Sequence, residues 1–217
     1  MEKIQLKHTL PNVFMARADI HSDIWLQEVE FEKDKLYLVE ANSGTGKSSL
    51  CSFIYGYRQD YQGEILFDEQ STRNFSVKQW VDIRKKHFSL LWQELRMFPE
   101  LTAMENVEIK NKLTGMMGFQ KKKTIVEWFE QLGIADKMDS KMGKMSFGQQ
   151  QRVALIRSLC QPFDFIFVDE PISHLDDTNS EIMGRLLTAE AKRQGAGIIA
   201  TSIGKHIELN YDKVFRL

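Results

Sequence analysis

Two hydrophobic periods alternate along the chain. Lys35 to Ala41 (KLYLVEA) reads as a strand, and Lys47 to Tyr57 as the helix that follows it. Gly63 to Asp68 and His87 to Trp92 read as two more short strands. Ile125, Phe129 and Leu132 recur at helical spacing with Val126 beside them, and Gly133 is placed to end that helix. Gly148 to Cys160 is helical, with Val153, Ile156 and Cys160 along one face. Phe163 to Val168 is an almost unbroken apolar run, as expected of a central parallel strand buried on both faces. Asp176 to Gln194 reads as a helix and Gly197 to Thr201 as a last strand. Strands alternating with helices predict an α/β fold with a mostly parallel sheet and right-handed crossovers. Residues from about 94 to 147 hold no good strand and read as a helical insertion.

Composition narrows the class. At roughly 150 residues per domain, 217 residues make one domain, 1–217, with a modest insertion. A chain that is 42% hydrophobic and 27% charged buries a real core, which excludes disorder, collagen and a disulfide-built miniprotein. Twenty-nine basic and thirty acidic side chains leave a net charge of −1, so nucleic acid is not expected as a partner. No stretch reaches the ~18 apolar residues of a membrane helix. The first 19 residues carry Glu2, Lys3, Lys7, His8 and Arg17 and no apolar region of a signal peptide. A membrane role is expected only through a partner. Cys51 and Cys160 match no metal spacing and read as inert core thiols of a reducing cytosol.

The chemistry begins after the first strong strand. Ala41-Asn-Ser-Gly-Thr-Gly-Lys-Ser-Ser49 lies between that strand and a helix, the context a phosphate-binding loop needs. Gly44 and Gly46 admit positive φ and let the backbone approach phosphate, so successive N–H groups form an anion nest at the positive end of a helix. The expected nucleotide contacts are Asn42, Ser43, Gly44, Thr45, Gly46, Lys47, Ser48 and Ser49. Lys47 supplies a point charge for the β- and γ-phosphates, and the Ser48 hydroxyl suits Mg²⁺. Ala41 stands where the pattern has glycine, which is tolerable if its φ is negative. Asp169 and Glu170 close the buried strand at its C-terminal end, where α/β sheets place ligands. One carboxylate suits the metal and the other the orientation and deprotonation of a water. Gln93 follows a strand and is within reach of Mg²⁺ or that water. Ser146 reads as a helix N-cap.

Lys144-Met-Ser-Phe-Gly-Gln149, Phe163 to Glu170, Ser173 to Asp176, and Gln93 with Phe98-Pro-Glu-Leu-Thr102 follow the phosphate loop in a fixed order. In these motifs the chain resembles the ATP-binding cassette (ABC) ATPases over nearly all its length. The resemblance implies a phosphate-loop NTPase fold: a mostly parallel sheet, a small antiparallel β part and the helical insertion at 94–147. It makes Ser146, Gly148 and Gln149 a signature loop, Phe163–Glu170 a Walker B strand, Ser173–Asp176 a D-loop and Gln93 a Q-loop. It implies two copies sandwiching two ATP molecules with Mg²⁺, each γ-phosphate reached by Ser146 of the opposite copy. Phe14 stands about where the family stacks an aromatic ring on adenine, although its residue-level reading is a core phenylalanine. Cys51 reads as core, and Lys121–Lys123 as a solvated helix start with lipid head groups as the sharper alternative.

Besides Ala41, the resemblance fails at Phe147, which replaces a glycine of the signature loop, and after the last strand. The family has Thr-His after its last strand, and here Ser202 occupies the histidine's place. Serine donates one hydrogen bond and carries no charge near pH 7, so hydrolysis is expected but slow. His206 and His174 read as structural. The leading expectation is the ATPase subunit of a membrane ABC system, driving a separate transmembrane permease from the cytoplasmic face. It looks most like the small cassettes of lipoprotein release, macrolide export and cell division. The alternatives are an ATP-gated signalling module on a membrane partner and a soluble ABC protein; a phosphate-loop kinase ranks last.

Overall fold

The computed structural model describes the whole chain except Ala18, 114–117, Phe119, Ser173 and His174. In chain order come β1 (Lys3–Pro11), β2 (Glu28–Glu32), β3 (Leu36–Glu40), α1 (Lys47–Ile54), β4 (Tyr61–Phe67) and β5 (Gln70–Ser71). They are followed by α2 (Val77–Lys86), β6 (Phe88–Leu91), α3 (Ala103–Lys112), α4 (Lys122–Gln131) and α5 (Phe147–Leu159). The last are β7 (Phe165–Asp169), α6 (Asp177–Gln194), β8 (Gly197–Ser202) and β9 (Lys213–Arg216).

A five-stranded sheet, ordered β6-β7-β8-β3-β9, is parallel at every pair. A four-stranded antiparallel sheet, β2-β1-β4-β5, packs beside it. Alternation along the parallel strands divides the core in two. Leu38, Ile166, Val168, Ile198 and Ala200 face one side, where α5, α6 and the insertion's helices cover them. Tyr37, Val39, Phe165, Phe167 and Ile199 face the other, against α1 and the antiparallel sheet. Each fully buried side chain of this size stabilises the fold by about 1.5–3 kcal/mol. The fold class expected from the sequence is present.

The insertion is built from α3, α4 and short 3-10 turns at Ala135–Lys137 and Met142–Lys144. Among the described residues three helices carry capping boxes, Ser76 with Gln79, Thr102 with Glu105 and Ser146 with Gln149, and each fixes where a loop becomes helix. Gly133, with φ 62°, ends α4's turn as expected, and Lys121–Lys123 form its exposed start. α1 is shorter than the sequence pattern suggests. It stops at Ile54 because Gly56 turns the chain at φ 72°, and the Trp80 ring lies 2.4 Å from where a Cβ would stand there. Asp176 caps α6 through the Asn179 N–H instead of lying within it. Among the described residues no helix is long and apolar enough to cross a membrane.

Candidate functional site

The C-terminal ends of β6, β7, β8 and β3 lie side by side, and the segments leaving them carry the residues singled out above. β3 runs into the loop 41–46, and Gly46, at φ 99°, precedes α1 with no side-chain cap. The first N–H groups of α1 are thus left for another acceptor. Gly44 has φ 81°, and a Cβ there would meet nothing within 4 Å, so its face is open. At Gly46 a Cβ would come within 2.9 Å of Phe14 and 3.0 Å of Trp25, so only glycine lets the loop lie on those rings. Ala41 is absent from the residues with positive φ and sits in the loop without backbone strain. A cavity of about 410 Å³ opens over the loop. Asn42, Ser43, Gly44, Gly46, Lys47, Ser48 and Ser49 line it, facing Val13, Phe14, Gln93, Glu170 and Ile203.

Charge is concentrated in that cavity. Lys47 is only 6% exposed, its ammonium pairs with Glu170, and Asp169 Oδ1 lies 3.8 Å away. Burial lowers the lysine's pKa and Asp169 opposes that shift. Asp169 is itself buried and accepts a hydrogen bond from Thr201 Oγ1 at 2.6 Å, its register partner on β8. Glu170 leaves β7 with φ 48°, a left-handed conformation that costs a non-glycine residue about 1–3 kcal/mol and turns its carboxylate toward Lys47. Gln93 Nε2 donates to Glu170 Oε2 at 3.1 Å. Thr45 Oγ1 donates to the Asn42 carbonyl at 2.9 Å, and the Ser49 hydroxyl accepts from Arg58 at 3.1 Å. Cys51, on the same helix, is wholly buried and its thiol is pushed well above the ordinary range by that burial.

Not every expected residue enters the cavity. Phe14 reaches its rim packed as a core side chain, 6% exposed, with the Arg17 guanidinium 4.0 Å over its ring. Ser202 is 1% exposed and its hydroxyl donates to the Lys205 carbonyl at 2.7 Å, so Ile203 and not Ser202 faces the loop. Ser202, expected in the place of the family's histidine with one hydrogen bond to give, is the last residue of β8 and is buried there with that bond directed to Lys205. His206 packs on Tyr211 with its Nε2 4.0 Å from Glu208. Ser146, Gly148, Gln149 and Asp176 lie outside this cavity. Ser146 is exposed and engaged with Gln149 in its capping box, and Asp176 accepts two hydrogen bonds from Asn179. Ser173 and His174 lie outside the described residues. Trp25 bonds the loop at Thr45, Thr201 bonds Asp169, and Val13 and Ile203 line the cavity; all four escape sequence reading, since no spacing ties them to these places.

The donors around the cavity fit a hard cation only in part by themselves. Among the described residues no group of three or more His, Cys, Asp or Glu side chains could hold a metal ion. Ser48, Gln93 and Asp169 are oxygen donors of the kind Mg²⁺ accepts when water and phosphate complete its shell.

The chain is similar to known proteins over most of its length. A family model described as "ABC transporter" matches residues 27–173. The macrolide export ATP-binding/permease protein MacB of Shewanella sp. (strain ANA-3) is 29% identical over 185 residues, 85% of this chain but 28% of that protein. The chain thus spans little more than a quarter of that relative. The ABC transporter ATP-binding protein YclH of Bacillus subtilis (strain 168), itself uncharacterized, is 29% identical over 87% of this chain and 83% of its own length. A dimeric structure of MJ0796, a bacterial ABC transporter cassette, superposes with a TM-score of 0.76 at 24% identity, covering 91% of this chain and 87% of its own. CbiO1 of Clostridium perfringens gives 0.73 at 20% identity over 100% of this chain and 85% of its own. These two structures share the fold, and with the family match over more than half its length this chain belongs to the ABC transporter family as an ATP-binding cassette.

Proposed function

We propose that this cassette, read as one ABC domain over 1–217, binds ATP with Mg²⁺ in the cavity over loop 41–49 and hydrolyses it. It thereby drives a separate transmembrane permease from the cytoplasmic face. The observation that carries the reading is the buried Lys47, held by carboxylates over a helix start that nothing caps. A phosphate in the loop competes with Glu170 for that ammonium. Released from Lys47, Glu170 keeps Gln93 as its partner and stands ready to take a proton from water. Ser48, Asp169 and Gln93 are the donors for Mg²⁺. Bound there, the ion screens phosphate charge during transfer.

The cavity contains one half of such a site. Ser146, exposed at the start of α5, offers a hydroxyl and a helix N-terminus to a second copy, in which it would meet the γ-phosphate. Two copies then enclose two nucleotides, and their closing and opening is the stroke given to the permease. Turnover is slow, because Ser202 spends its hydroxyl on Lys205 and brings no charge to the γ-phosphate. That same observation favours, as a second reading, an ATP-gated module that signals more than it pumps. Multiple-turnover phosphate release by the wild type and Glu170→Gln tests the proposal. Steady release by the wild type, falling about 10²-fold or more in the variant, supports it. Equal rates contradict the role of Glu170.

A further inference from the structure

The phosphate loop is held from behind by a residue outside it. Trp25 Nε1 donates to the Thr45 carbonyl at 2.8 Å across 20 residues of sequence. Trp25 is 2% exposed, and the Gly46 backbone lies on its ring so closely that a Cβ would stand 3.0 Å from Cζ2. The indole has little freedom of its own. Its backbone N–H donates to Ser22 Oγ at 2.9 Å, and the next residue, Leu26, donates to Thr9 O at 3.0 Å. Asp23 exchanges two 2.8 Å bonds with the Arg216 backbone at the end of β9, and the ring packs edge-on against Phe53.

A trans peptide points its C=O and N–H in opposite directions. Fixing the Thr45 carbonyl on the indole therefore turns the Gly46 N–H away from the ring. Gly46 lines the cavity over the loop. Having no Cβ, it lets the Thr45–Gly46 peptide rotate easily, and one orientation would show phosphate a carbonyl where the other shows an N–H. We propose that Trp25 is a positioning residue for nucleotide: its indole N–H sets this peptide plane so that the Gly46 amide is presented to phosphate. The proposal rests on the nucleotide reading of the loop and adds to it a residue that never touches the ligand.

The test removes the donor while keeping the ring's shape. Trp25 is replaced site-specifically by its sulfur isostere, benzothienylalanine, and separately as Trp25→Phe. Each protein is titrated with ADP and ATP calorimetrically, its melting temperature is measured without nucleotide, and the Gly46 amide is followed by ¹⁵N NMR. Loss of one neutral hydrogen bond to the loop predicts affinities about 5–10-fold weaker in the isostere. Its nucleotide-free melting temperature stays near wild type, and the Gly46 amide response to ADP shrinks. Wild-type affinity in the isostere overturns the proposal. So does a loss of affinity matched by a large fall in nucleotide-free stability, which would make Trp25 a packing residue only. Absence of nucleotide binding by the unmodified protein would strike instead at the reading on which the proposal rests.

Discussion

Lys47 is a buried cation whose neighbours are two carboxylates and an open cavity, a state that water would favour over burial. A ligand rich in phosphate oxygens relieves it. Lys47→Ala should lower ATP affinity at least 100-fold, measured by calorimetry, while circular dichroism shows a folded chain. The fold survives because each carboxylate keeps another partner, Asp169 the Thr201 hydroxyl and Glu170 the Gln93 amide at the open cavity. Ser202→Ala belongs to the same scale with the opposite expectation. Its hydroxyl serves the Lys205 carbonyl, so the variant should lose about 0.5–1.5 kcal/mol of stability in a denaturant melt while phosphate release stays within about twofold. Gly44, Gly46, Lys47, Asp169 and Glu170 were legible because their chemistry depends on neighbours in sequence, a loop between a strand and a helix. The fates of Ser202 and Trp25 were not, because each depends on a contact that only the folded chain creates, one with Lys205 and one with Thr45.

α5 joins two parts of the site. It starts at Ser146, and near its other end Arg157 donates to the carbonyls of Leu95 and Arg96, at 2.5 and 2.8 Å, just after Gln93. Arg96 is held at φ 50°, a conformation that relaxes without such an anchor. Arg157→Met should therefore cost about 2–4 kcal/mol in thermal unfolding and reduce phosphate release more than ATP affinity. At the opposite end of the sheet, Asp164 precedes β7 with His87, Lys33 and the Met1 ammonium around it. Burial opposes its ionisation, but hydrogen bonds from those three groups outweigh burial and hold its carboxyl below the ordinary range. A depressed carboxyl contributes stability that is full above the unfolded pKa, near 3.9, and lost as pH falls through the folded value. Wild type should lose stability between pH 5 and 3 more steeply than Asp164→Asn, as urea melts at each pH would show. The elements of this core varied in how plainly the sequence announced them. β7 and β8 are buried at every position and carry no polar side chain before Asp169 and Thr201 at their C-terminal ends. α2 buries only Trp80, and α3 turns Asn106 and Asn111 inward, so neither shows a clean apolar stripe. β2 alternates Val29 and Phe31 with glutamates, a signal hidden by its five-residue length.

At the scale of the whole molecule, the residues at the start of α5 and the cavity over Lys47 are separate surfaces of one chain. The sequence motifs point to both halves, but no spacing within one chain shows that they belong to different copies. If the signature loop completes the partner's site, nucleotide itself holds two chains together, and a variant that binds but does not hydrolyse should hold them longest. Glu170→Gln keeps the size of the side chain and removes the base. Its sedimentation velocity with and without Mg-ATP, alongside Lys47→Ala, is the most direct measurement of this closure. The prediction is a monomer without nucleotide, a dimer with Mg-ATP, and a monomer for Lys47→Ala under both conditions. A Glu170→Gln protein that binds ATP yet sediments as a monomer at every concentration would contradict the two-copy site.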